Sequence, residues 1–118
     1  MKKPFSIKGF KTVPVDIDDT VVMWDKSEYP ENDYITINVY GEDAVLVPNK
    51  KNINLIRKLH KLGYRFIFWS RTGEKWARAI ATRLNLLDMA VGTMGKPFFY
   101  MDDKPADDWM ERLWRDLE

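Results

Sequence analysis

The chain has no cysteine, which excludes disulfides, thiolate zinc centres and cysteine nucleophiles at the outset. It has one histidine, His60, set between Leu59 and Lys61 beside a helical stripe, where it reads as a boundary residue and not as a ligand. No apolar run approaches the ~18 residues that a membrane span requires. Met1-Lys2-Lys3 is not followed by an apolar stretch, so no secretory signal is expected and the expected location is the cytoplasm. Excess charge is missing too: the net charge is +1, which does not describe a polycation built for nucleic acid. Internal repeats, low-complexity tracts and linkers are absent.

What is present suits one globular domain spanning residues 1–118, with 45% apolar and 14% aromatic residues. Charge is distributed unevenly. Lys50, Lys51, Arg57, Lys58, Lys61 and Arg65 occur with no intervening acid, whereas residues 101–118 hold seven acids against three bases.

Residues 12–17 read as a short strand running into acids, although Pro14 is unusual in a central strand. The alternation of Ile35, Ile37 and Val39 with Thr36 and Asn38, followed by Gly41-Glu42-Asp43, predicts a hairpin over about 34–47. Asn49 is placed to cap a helix carrying Ile53, Ile56, Leu59 and Leu62, which Gly63 stops. Residues 64–69 read as a buried strand. Thr72 or Gly73 opens a second helix with Trp76, Ala77, Ile80, Ala81 and Leu84 on one face. A short third strand is predicted near 89–91 and another strand at 98–101. Pro105 then begins a helix with Trp109, Met110, Leu113, Trp114 and Leu117 as its stripe. Trp76, Trp109 and Trp114 are expected in the core. The pattern predicts an α/β fold, a parallel sheet covered by helices, with the hairpin inserted after the first strand.

Three apolar runs end in polar residues, at Asp16, Ser70 and Asp102. Ligands of open parallel sheets bind outside the carboxyl ends of the strands, so these endings are expected to converge. Asp16, Asp18, Asp102 and Asp103 together concentrate negative charge. One like-charge pair ~4 Å apart costs about 4 kcal/mol at an effective dielectric of 20. Either some of these aspartates are protonated or a cation is present. Oxygen ligands without cysteine or histidine favour a hard ion such as magnesium. An EF-hand calcium loop fails on position: Val21 stands where glycine is needed and Ser27 where glutamate is needed.

These residues carry a resemblance. "VDIDDT" resembles the Asp-x-Asp-x-Thr first motif of the haloacid dehalogenase (HAD) superfamily, which is dominated by phosphohydrolases. "RFIFWSR" resembles its second motif at Ser70, Lys96 in "MGKPFFYMDDK" its third, and Asp102-Asp103 its fourth, all in the family's order. The resemblance implies a HAD-like three-layer αβα sandwich with a small parallel sheet, a hairpin flap and no cap domain. It implies Asp16 as nucleophile, Asp18 as general acid and base, Ser70 as a hydrogen-bond donor to the phosphoryl group, and Lys96 as charge compensation. It also implies a magnesium ion (Mg2+) held by Asp16, Asp18 and Asp102 or Asp103, with Thr20 bracing the loop. Pro14, and Asp19 where glycine is often found, depart from the pattern.

The site is expected to be open, or covered by a second subunit in a homo-oligomer. Arg71 is a candidate for a second substrate anion and Trp24 for stacking on a substrate ring. The expected partner is a phosphorylated substrate. The basic helix permits nucleotides or nucleic-acid ends among such substrates, and no membrane is expected. Two rivals stand beside the phosphatase reading. One is a receiver-like phosphoacceptor, which the placement of Asp102-Asp103 after Lys96 disfavours. The other is a catalytically weak phospho-ligand binding module on a similar fold.

Overall fold

The computed structural model describes residues 11–113. Its centre is a three-stranded parallel sheet in the order β1-β5-β6, formed by Lys11–Asp16, Tyr64–Ser70 and Ala90–Gly95. A second, antiparallel sheet in the order β2-β4-β3 comprises Val22–Met23, Asp43–Pro48 and Ile35–Asn38. Helices α1 (Lys50–Lys61) and α2 (Glu74–Arg83) are the crossovers β1→β5 and β5→β6. The molecule is therefore α/β with a small parallel sheet and two helices.

The register explains where the core lies. Val13 pairs with Phe66 and Val15 with Phe68, so these side chains share a face. Phe66 and Phe68 are fully buried, and they join Ile53 and Ile56 of α1 with Trp76, Ala77, Ile80 and Ala81 of α2 in one cluster. Both crossovers step in the same direction across the sheet, and right-handed connections then place both helices on one face. Among the described residues, Pro14, Ile67, Trp69 and Met94 on the opposite face are covered by no helix and are partly exposed. The described residues thus form two layers, where three were expected.

The hairpin forms as predicted, but it is more than a flap. Ile35, Ile37 and Leu46 are buried in the common core, while Thr36 and Asn38 face solvent. Val22–Met23 adds a third strand along β4. Helix α1 begins as its sequence dictates: the Asn49 side chain accepts the Asn52 amide at 3.2 Å, and Gly63 takes φ 99 just past the end.

Pro14 fits because β1 is an edge strand of this sheet, not a central one. The Ile17 amide donates to the Trp69 carbonyl at 3.2 Å, so alternation turns the backbone of Val13, Val15 and Ile17 toward β5. Pro14 and Asp16 then face the outer edge, where a missing N–H costs no bond to β5.

Two expectations for the C-terminal part are corrected. Residues 98–101 form no strand, and Phe98, Phe99 and Met101 are 97%, 90% and 100% exposed. Only Lys96 and Pro97 separate them from β6. A parallel strand beside β1 that ends level with Asp16 would begin three strand spacings of ~4.8 Å away and four residues lower, ~19 Å in all. Three Cα steps reach only ~11 Å. Parallel neighbours need a crossover of about a dozen residues, which the chain does not have here. The predicted helix from Pro105 is only a short 3-10 turn, Ala106–Asp108, within the described residues. Trp109 is 54% exposed instead of buried, while Trp114 and Leu117 lie outside the described residues.

Candidate active site

The carboxyl ends of β1, β5 and β6 bring Asp16, Asp18, Ser70 and Lys96 together, as the motif spacing predicted. Lys96 follows β6 directly. Its amide donates to the Ser70 carbonyl at 2.9 Å, and its Nζ lies 3.6 Å from Asp16 Oδ1. Both side chains of this pair are about one-third exposed, so their attraction is screened and contributes little to stability. It does hold an ammonium beside the carboxylate that ends β1.

Asp18 is held more tightly. Ser70 Oγ donates to its Oδ2 at 2.8 Å, while Trp24 Nε1 and Trp76 Nε1 donate to its Oδ1 at 2.9 and 3.1 Å. The two indoles stack with ring centroids 6.0 Å apart and planes 16° apart. Three donors on one side chain suit an ionised carboxylate, which only accepts. Ser70 is fully buried, and its oxygen also accepts the Thr72 amide at 3.0 Å. In this arrangement the Ser70 hydroxyl serves Asp18 and the β5–α2 turn, and it does not point to a substrate.

The loop between β1 and β2 owes its shape to Asp19 and Asn52. Asp19 takes the left-handed conformation at φ 60, which aspartate tolerates better than most residues with a Cβ. Its amide donates to the Val22 carbonyl at 2.7 Å, and its Oδ1 accepts the Trp24 amide at 3.3 Å. The amides of Thr20 and Val21 donate to the Ile17 carbonyl, closing the turn. Buried Asn52 of α1 donates to the Thr20 carbonyl at 2.9 Å, so Thr20 braces the loop through its backbone. On the other side, Gly73 takes φ 122 where the chain turns from Ser70 into α2, a conformation that favours glycine. The hairpin reaches this turn through the Tyr40 hydroxyl, which donates to the Thr72 carbonyl at 3.3 Å.

Arg71 is exposed and forms no ion pair among the described residues. Trp24 is 44% exposed, so one face of the indole pair stands open at the mouth of the site. Asp102 and Asp103 are exposed, and Asp102 Oδ1 accepts the Lys104 amide at 3.0 Å. They are not gathered with Asp16 and Asp18: among the described residues no three acidic or histidine side chains form a group able to hold a metal. Magnesium needs near-octahedral oxygen ligands. With Asp18 saturated by donors, one chain offers only Asp16, so the described donor set does not fit the ion.

Sequence reasoning placed Trp76 in the core and Trp24 at the mouth, but it missed that both donate to Asp18. Helical spacing shows which face of an indole is buried, and it carries no signal for the partner of Nε1. No family model, curated protein or solved structure matches this chain.

Proposed function

We propose that the chain is a HAD-like, magnesium-dependent phosphomonoester hydrolase with an open site, acting through an aspartyl-phosphate. The observation that supports it most is the convergence of Asp16, Asp18, Ser70 and Lys96 at neighbouring strand ends, from positions far apart in the sequence. Asp16, at the end of β1, attacks phosphorus while the bond to the leaving oxygen breaks. Asp18 supplies the proton to that oxygen and later takes one from the water that releases phosphate, regenerating Asp16. Lys96 offsets charge on Asp16 and on the phosphoryl oxygens, and Arg71 is free to meet a second anion. The third layer of the sandwich belongs to the same reading, with the C-terminal stripe of Trp109, Met110, Leu113, Trp114 and Leu117 over the open sheet face.

The test is phosphate release from nucleotides, sugar phosphates, phosphopeptides and 3′-phosphorylated oligonucleotides, each with magnesium and with EDTA. Magnesium-dependent release from at least one class is expected, and none from any class overturns the reading. A second reading, a module that binds a phosphorylated ligand without turnover, is favoured by the three donors that immobilise Asp18. It predicts saturable binding of the same compounds with no phosphate released.

A further inference from the structure

We infer that the Phe98–Met101 arm docks on a second copy of this chain, along the outer edge of that copy's β1, and that the two arms exchange reciprocally. The inference rests on the phosphatase reading for one of its parts, the role of Asp102 and Asp103. Four observations carry it.

The arm exposes four consecutive apolar or aromatic residues, Phe98, Phe99, Tyr100 and Met101, at 97%, 90%, 62% and 100%. Such a run on a water-soluble surface marks an interface. The radius of gyration, 16.1 Å, exceeds the ~13 Å of a compact domain of this length, as a projecting arm requires.

The receiving surface exists in the same molecule. A cavity of about 570 Å³ runs beside β1 and α1, with Val13, Val15, Leu55, Ile56, Leu59 and Trp69 on its walls. β1 is the sheet edge here. Pro14 removes one donor from that edge, so apolar contacts supply more of the docking than ladder bonds do.

The chain's own arm cannot lie there in parallel register, because Lys96 and Pro97 do not span the distance. A second copy has no such tether. Lys96 stays bound to Ser70 and Asp16 of its own copy, which leaves Pro97 as the hinge.

Charge also matches. Residues 102–113 carry five acids against two bases, and α1 carries Lys50, Lys51, Arg57, Lys58 and Lys61 with no acid. Lys51 and Lys58 lie one turn to either side of Leu55, so they border the cavity. Burying Phe98, Phe99 and Tyr100 of both copies removes roughly 900–1,500 Å² from water. That reaches the ~1,000 Å² of a specific interface.

In parallel register the arm sets Tyr100 level with the partner's Pro14 position and Asp102 level with its Asp16 position. The site that lacks a third carboxylate within one chain is completed by the other copy.

The test begins with sedimentation of the full chain, where twice the chain mass is expected. Phe98→Asp with Phe99→Asp should yield monomers that keep the wild-type circular dichroism; if that pair unfolds, Phe99→Ser alone should raise the dimer dissociation constant at least tenfold. Because the chain has no cysteine, Pro14→Cys combined with Tyr100→Cys should form a disulfide between copies, seen as a covalent dimer on a non-reducing gel. Asp16→Asn refolded together with Asp102→Asn/Asp103→Asn should recover about a quarter of wild-type turnover, since half of the randomly paired dimers hold one intact site of two. A monomer at all concentrations, a disulfide within one chain, or a dimer whose mixed variants stay inactive overturns the inference. A wild-type dimer with no magnesium-dependent turnover overturns the phosphatase reading instead, and the disulfide then decides the exchange alone.

Discussion

Asp19 has a structural task that its charge conceals. Its left-handed backbone and its bond to the Trp24 amide shape the turn that presents Asp18. A β-branched residue tolerates that conformation poorly, so Asp19→Val should lower stability by roughly 1–3 kcal/mol in urea unfolding. Trp24 and Trp76 make the same kind of bond to Asp18 in different settings. Trp76 is 4% exposed, and its hydrogen bond to a carboxylate is worth about 1.5–3 kcal/mol. Trp76→Phe should therefore cost more stability than Trp24→Phe, where water replaces the lost donor. Equal losses in the two variants would show that the indole nitrogens do not distinguish buried from open positions.

At the scale of elements, the helices were the most legible. Asn49, the spacing of Ile53 and Ile56, and Gly63 are local signals, and α1 follows them. Asn49→Ala should cost about 1 kcal/mol through loss of the cap, measured as a shift of the urea midpoint. The strands β1 and β5 were legible because an apolar run ending in a polar residue is also local. The run at 98–101 looks the same in sequence, yet it forms no strand. Its fate depends on the length of its connection to β6, and apolarity carries no information about that length. Pro14 was puzzling for a related reason, since a strand's place at the edge or centre follows from the order of strands.

At the scale of the molecule, two sheets share one core. Leu46 of the antiparallel sheet is fully buried in the cluster that contains Phe66 and Ile80. The sheets should unfold together, and Leu46→Ala should cost about 2–5 kcal/mol. Far-ultraviolet dichroism and tryptophan fluorescence should still report one coincident transition. Separate transitions would mean that the hairpin sheet folds on its own. The gathering of Asp16, Asp18, Ser70 and Lys96 was legible from motif order because parallel strands end on the same side. Where Asp102 and Asp103 go was not legible, because that depends on the path of the whole C-terminal arm. The measurement that tests the central claim most directly is hydrolysis of p-nitrophenyl phosphate by the wild type and Asp16→Asn, purified side by side. The account predicts turnover by the wild type that EDTA abolishes and magnesium restores, with none in a folded Asp16→Asn; turnover by that variant at the wild-type rate contradicts it.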